Sequence, residues 1–269
     1  MRFLFIGDVV GKPGREIITR VLPALIKQRS IDLVVANSEN AAAGSGMTPK
    51  IYKELCTAGV DAITLGDHVY RRKEILPTLE AEENIVRPLN LPEEATGRRW
   101  CVVQGRNGER AFVCCALGQL FMRPIDNPWR AIDAALAEAP SDAKVKLVDF
   151  HAEATSEMQL MGRYLDGRVT AVLGTHTHVA TADEQVLPGG TALQCDVGMT
   201  GPHESILGRR IDRVMSATLT GMPTPFDVAE GDVRLNGALV ESDPNTGNAI
   251  AIERVSIDEA EADRLLGAE

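Results

Sequence analysis

Eight residues in this chain combine a ligand-type side chain with a place just after a short apolar run. Asp8 follows RFLFIG, Glu39 and Asn40 follow DLVVANS, and Asp67 and His68 follow AITLG. His151 follows KLVDF, and His176 and His178 follow TAVLGT. If the apolar runs are strands, five strand ends carry an oxygen or imidazole ligand to one edge of one sheet, where open α/β sheets place their ligand sites. His176 and His178 stand at i and i+2, so in extended backbone both rings project from the same face. A mixed set of Asp, Glu, Asn and His suits Mn, Fe or Zn better than Mg or Ca, because imidazole is a borderline ligand. Eight positions exceed what one tetrahedral ion needs. Two ions sharing a carboxylate is the economical reading, and such a pair clamps the attacking and leaving oxygens of a phosphoryl displacement.

Taken singly, each residue has a plainer explanation. An Asp ending a strand commonly caps the next helix, and a lone His after a strand is commonly a hydrogen-bonded core residue. The joint pattern resists this, because four of only 5 histidines fall in such places.

The elements that must position them alternate in type. Strands are predicted over Arg2–Ile6, Asp32–Ala36 and Asp61–Leu65. Helices are predicted over Pro13–Arg29, with Ile17, Ile18, Val21, Leu22 and Leu25 at helical spacing, over Thr48–Ala58 and over Arg71–Glu82. This alternation predicts parallel βαβ units. Trp100–Gln104 and Arg110–Ala116, separated by a Gly-Arg-Asn-Gly turn, read as a hairpin. Further on come a helix over Asn127–Ala139, strands over Lys144–Phe150 and Val169–Leu173, and a helix over Ser156–Leu165 between them. The last third reads as strands near Glu184–Leu187, Ala192–Cys195, Gly231–Val240 and Ala249–Ser256, with helices at Ile206–Leu219 and Asp258–Leu266. There is no internal repeat and no Ser- or Pro-rich linker, so one domain over residues 1–269 is expected.

Composition narrows the function classes. With 269 residues, 44% hydrophobic and 25% charged, the chain belongs to the ordinary globular class and can bury a large core. A formal net charge of −10 argues against a basic nucleic-acid face, and 4% aromatic residues supply few stacking platforms. No stable nucleic-acid complex is expected. The 5 cysteines form no CxxC pair, and the adjacent Cys114 and Cys115 read as small buried side chains. The apolar start is too short for a secretory signal, and no run is long enough for a membrane helix, so a cytoplasmic location without membrane attachment is expected.

Six blocks carry a resemblance to a known family. They are FIGDVVGKPGR (5–15), NSENAAAGSGMT (37–48), DAITLGDHVY (61–70), DFHAEATSEM (149–158), VLGTHTHVATAD (172–183) and DVGMTGPHESILG (196–208). Over roughly residues 1–255 the sequence resembles the YmdB-type branch of the calcineurin-like metallophosphoesterases, bacterial 2′,3′-cyclic nucleotide phosphodiesterases. The resemblance implies an α/β sandwich with a dinuclear site at the carboxyl ends of the strands. It implies one metal held by Asp8, Glu39, Asn40 and His178, and a second held by Glu39, Asp67, His151 and His176, with Glu39 bridging. The ions would be two divalent metals per chain, Fe or Mn first and Zn as an alternative. A hydroxide between them would attack phosphorus, and His68 would protonate the departing ribose oxygen. The implied substrate is a small cyclic nucleotide such as 2′,3′-cyclic AMP, and the resemblance is compatible with a homo-oligomer.

The family motif Gly-Asn-His reads Gly66-Asp67-His68 here. Asp supplies an anionic oxygen where Asn supplies a neutral one and an NH2 donor. That change predicts tighter metal binding and weaker attraction for an anionic diester, with a tolerated isosteric ligand as the plain alternative.

Other residues have simpler expectations. Gly11-Lys12-Pro13-Gly14 reads as a strand-to-helix turn rather than a phosphate loop, His203 as a solvent-facing loop residue and Asn90 as a turn residue. Glu153 and Thr155 are read as supports behind the ligands, with helix capping by Thr155 or Ser156 as the alternative, and Asp196 as structural or supporting. Arg71-Arg72-Lys73 reads as a solvated run beside the site. Two rival functions remain: a phosphomonoesterase or nuclease with the same metals, and a regulatory protein whose metal centre is a sensor or scaffold. His68, which has no purpose in a purely structural site, counts against the second.

Overall fold

The alternation inside the first strand sets the layers. In β1 (Arg2–Ile6), Phe3 and Phe5 point to one side and Leu4 and Ile6 to the other, and all four are fully buried. A strand buried on both faces belongs in the middle of a layered fold. The computed structural model describes residues 1–267; Ala268 and Glu269, the last two of the expected single domain, lie outside the described residues.

After β1 come α1 (Gly11–Arg29), β2 (Leu33–Asn37), α2 (Pro49–Ala58), β3 (Ala62–Thr64), α3 (Leu76–Ala81) and β4 (Ile85–Val86). The hairpin β5 (Trp100–Gln104) and β6 (Arg110–Leu117) follows, then α4 (Pro128–Glu138), β7 (Val145–His151), α5 (Thr155–Tyr164) and β8 (Ala171–Thr175). The chain finishes with β9 (Gln185–Val186), β10 (Ala192–Gln194), β11 (Gly201–Pro202), α6 (Ile211–Thr220), β12 (Val233–Ser242), β13 (Ala249–Ile257) and α7 (Glu259–Gly267).

These strands form two sheets, as the sandwich implied by the resemblance requires, so the five strand ends do not belong to one sheet. The first has the order β11-β12-β1-β2-β3-β4 with β13 on β12, and the second β5-β6-β7-β8-β10-β9. β1 to β4 run parallel, as do β6, β7, β8 and β10. The inner faces meet in a core that includes Phe3, Phe5, Leu33 and Val35 from one sheet and Val113, Leu147, Ala171 and Leu173 from the other. Helices α1 and α2 cover the outer face of the first sheet, and α4 and α5 that of the second. Local βαβ patterning gives the parallel steps β1–β2 and β2–β3 correctly. It does not reveal that the β5–β6 hairpin opens a new sheet, because sheet membership is decided by pairing across the chain.

Three further differences have local causes. The helix expected over Arg71–Glu82 is a 3-10 turn at Lys73–Ile75 followed by α3, with Pro77 in the first turn of α3, where its missing N–H costs nothing. The helix expected from Ile206 begins at Ile211, because Leu207 (φ 50°) and Gly208 (φ 88°) form a left-handed turn held by Gly208 N–H donating to Ser205 Oγ at 2.8 Å. The two-residue strands β4 and β11 are too short to announce themselves in sequence. Among the described residues, no helix is long and apolar enough to cross a membrane.

Candidate metal centre

The carboxyl ends of β1, β2 and β3 in one sheet and of β7 and β8 in the other converge on one place. Asp8 lies two residues past β1, fully buried, with Oδ2 accepting from the His176 backbone N–H at 3.0 Å. Glu39 lies in the turn after β2, where its N–H donates to Asn37 Oδ1 at 3.2 Å and its Oε2 accepts from His68 N–H at 2.9 Å. Gly66 precedes Asp67 because nothing larger fits: a Cβ there would run into Glu39 Oε2 and His151 Nε2. His151 is the last residue of β7.

His176 and His178 do not share one face of an extended strand. Both lie beyond β8 in left-handed backbone, with φ of 103° and 65°. Such strain at a non-glycine residue is characteristic of functional sites. The turn sends the two rings to different neighbours. His176 Nδ1 approaches His151 Nε2 at 3.0 Å, whereas His178 Nε2 lies 3.2 Å from Asn40 Nδ2 and 3.8 Å from Asp8 Oδ1. Asp196 fixes the turn between them, its Oδ2 accepting from the Thr177 N–H at 2.9 Å and hydroxyl at 2.8 Å.

Each imidazole has one nitrogen tied down away from the centre. His151 Nδ1 is 2.8 Å from Thr175 Oγ1, His176 Nε2 is 3.2 Å from Glu153 Oε2, and His178 Nδ1 donates to Leu207 O at 3.1 Å. The remaining nitrogens, His151 Nε2, His176 Nδ1 and His178 Nε2, face inward. Anchoring one ring nitrogen so that the other presents a lone pair is how metal-binding histidines are oriented.

The donor set fits a cation. Single ligand atoms of Glu39, Asp67, His151 and His176 all lie within 4.8 Å of one another, the set expected for the second metal. Two imidazole nitrogens 3.0 Å apart need a proton or a cation between them. Asp8 Oδ1 and Asp67 Oδ1 are buried without a hydrogen-bond partner, which is costly for carboxylate oxygens and is relieved by a metal ion. The residues expected for the first metal are less tightly gathered, with Asn40 Nδ2 3.1 Å from Glu39 Oε1 as their closest link.

The electrostatics show protons doing a cation's work. Burial opposes charge on His151, but the Glu39 and Asp67 carboxylates outweigh it and hold its pKa well above the ordinary value. Burial would likewise raise Glu39, and His151 and His68 reverse this, keeping it well below the usual carboxylate range. Burial raises Asp8 to about 7 and lowers His176 and His178 to about 4. His68 is lifted by Glu39 against its burial, and its Nδ1 lies 2.8 Å from Asn40 Oδ1.

The supports behind the ligands were only partly visible in sequence. Glu153 acts as expected, but Thr155 does not cap its helix; Ala154 is the N-cap and has no side-chain cap. His203 is not a solvent-facing residue: it is half-buried, with Nδ1 donating to Gly201 O and Nε2 accepting from Asn236, each at 3.0 Å. Asn90 is buried and braces the end of β6, exchanging bonds of 2.8 and 2.9 Å with the Leu117 backbone. Sequence reasoning missed Asp149, Thr175, Asn37 and Thr64. Asp149 is fully buried and accepts from Thr175 Oγ1 at 2.7 Å, Asn37 Nδ2 at 2.9 Å and Thr64 Oγ1 at 2.5 Å. Its position two residues before His151 in a strand, on the same face, was the available signal.

Comparison with known proteins places the chain in a family. A family model described as YmdB-like protein matches residues 4–255. A Bacillus subtilis protein named 2′,3′-cyclic-nucleotide 2′-phosphodiesterase is 44% identical over 259 residues, covering 96% of this chain and 98% of its own. A hypothetical protein from Thermus thermophilus has a structure similar at a TM-score of 0.91 and 42% identity, covering 96% of this chain and 100% of its own. A novel phosphatase from Mycoplasma pneumoniae gives a TM-score of 0.89 at 34% identity, covering 100% and 97%. This chain belongs to the YmdB-like family.

Proposed function

We propose that the protein is a dinuclear metal-dependent phosphodiesterase acting on 2′,3′-cyclic nucleotides. The observation that carries the reading is the Glu39, Asp67, His151 and His176 cluster, with His68 directly beside it. The name of the Bacillus subtilis relative supports the substrate class. Asp8, Glu39, Asn40 and His178 would hold one divalent ion and Glu39, Asp67, His151 and His176 the other, with Fe or Mn suited to this N/O set and Zn next. Bound there, the ions would supply Lewis acidity to the phosphoryl oxygens and lower the pKa of attacking water.

This chain's own residues prepare that chemistry. Thr175 and Asp149 hold the His151 ring, Glu153 holds His176, and Leu207 O holds His178. His68 is anchored through Nδ1 to Asn40, which leaves Nε2 as the group that gives its proton to the ribose oxygen as the P–O bond to it breaks and water's oxygen joins phosphorus. All five cysteines are free, which supports a reducing, cytoplasmic compartment. Both sheets supply ligands, which supports a single functional domain.

The test is hydrolysis of 2′,3′-cyclic AMP by wild type and His68→Ala. We expect His68→Ala to lower kcat about 100- to 10,000-fold with metal content unchanged. Equal turnover in both would refute the role of His68. Phosphomonoester hydrolysis is the second reading, favoured by the phosphatase name of the Mycoplasma pneumoniae structure, and faster turnover of a nucleoside monophosphate than of the cyclic diester would select it.

A further inference from the structure

Phe121 is 90% exposed, the greatest exposure of any large hydrophobic residue described. In a chain with only 4% aromatic residues this is an unusual use of one. Two other exposed aromatics are engaged: Tyr164 bonds Asp133 and lies under Arg168, and Phe226 lines a cavity with Lys12 and Arg15. Phe121 sits in left-handed backbone (φ 62°), in the segment between β6 and α4.

That segment begins at the metal centre. Leu117 pairs in register with His151, and Gly118 N–H donates to His151 O at 2.9 Å. Phe121 is three residues further on, so at most ~11 Å of chain separates it from that contact. Toward the segment's far end, the Arg123 charge lies close enough to Tyr70, two residues past His68, to oppose the rise of the Tyr70 pKa, and Ile125 packs against the same apolar cluster as Tyr70. The segment thus runs from the ligand His151 toward the loop that carries His68.

Its base is held firmly, and the Met122 N–H donates to Gln119 O at 3.4 Å across its tip. The buried Glu157 carboxylate accepts from the Gln119 and Leu120 N–H groups at 2.9 and 3.1 Å. Asn90 Nδ2 donates to Leu117 O and Asp126 O, and Gln119 Nε2 donates to Ile125 O at 3.0 Å, closing residues 119–125 into a loop. Phe121 and the exposed Leu120 form the tip.

We infer that Phe121 is the platform on which the nucleobase of the substrate stacks while its cyclic phosphate lies at the metal centre. This rests on the reading of the site as a cyclic-nucleotide phosphodiesterase and adds what that site lacks. The ligands and His68 address the phosphate and the ribose oxygen alone. An apolar face on a pinned loop supplies base affinity that tolerates any base, since every base has a π-face.

The test compares kcat/KM for 2′,3′-cyclic AMP with that for ribose 2′,3′-cyclic phosphate, which has no base. In Phe121→Ala the ratio should fall at least about fivefold, mainly through KM for the nucleotide, and Phe121→Trp should restore it. Leu219→Ala, exposed on α6, should leave the ratio at the wild-type value. An unchanged ratio in Phe121→Ala, or an equal loss on both substrates, would overturn the inference. So would an unchanged ratio with loss of self-association in sedimentation, which would assign Phe121 to a contact between copies. A wild-type protein inactive on both substrates would overturn the reading of the site itself, and the stacking role with it.

Discussion

His151 Nδ1 and the Thr175 hydroxyl lie 2.8 Å apart, and that hydroxyl donates onward to Asp149 Oδ1 at 2.7 Å. With its hydrogen committed to Asp149, the Thr175 oxygen accepts from His151 Nδ1–H, and Nε2 is left for a metal. Thr175→Val keeps the shape and removes the relay. It should weaken metal binding about 10- to 100-fold, measured by competition with a chelator, while the fold melts as a single transition.

Asp8 gives a pH prediction. Its pKa is raised from an ordinary 3.8 to about 7, chiefly by burial, so the metal-free protein holds a proton there at pH 6 and has lost it at pH 8. A metal ion must displace that proton. Calorimetry in buffers of different ionisation enthalpy should count about one more proton released per chain at pH 6 than at pH 8. The same shift lowers the stability of the metal-free protein as pH rises from about 4 through about 7, because the folded state binds this proton more tightly than the unfolded state does. Asp8→Asn should remove both effects.

Gly66→Ala places a methyl group against Glu39 Oε2 and His151 Nε2. Gly66 lies past β3, outside any helix or strand, so the fold should survive while the site closes. Adding Mn should raise the melting temperature of wild type and leave that of the variant unchanged; at 100 times Kd a bound ion stabilises by about 2.7 kcal/mol.

Asp67 carries one negative charge where the resemblance leads to the expectation of a neutral Asn. Unit charges about 4 Å apart interact by about 4 kcal/mol at an effective dielectric near 20, so the effect should be measurable. Asp67→Asn should weaken metal binding and lower KM for the anionic substrate. Unchanged metal affinity and KM would show that Asp67 is simply an isosteric ligand.

The candidate ligands stand out in the sequence because each stands beside an apolar run whose character is local: LFI before Asp8, VVA before Glu39, VLG before His176. Their partition was not legible there. His176 and His178 part company because of two positive φ angles in a turn held by Asp196, which i, i+2 spacing cannot express. The supports were hidden for a related reason. Asn37 meets Asp149 across 112 positions of sequence, a contact made only when the two sheets pack. His203 was misread because Asn236, which buries it, lies 33 residues away on β12.

On the proposed reading, two metal ions held by Asp8, Glu39, Asn40, Asp67, His151, His176 and His178 are needed for turnover. The most direct test of that requirement is a titration of the chelator-treated protein with Mn, following hydrolysis of 2′,3′-cyclic AMP. Activity should be absent at the start and reach its plateau at two equivalents per chain. A plateau at one equivalent, or hydrolysis that survives removal of the metal, would contradict it.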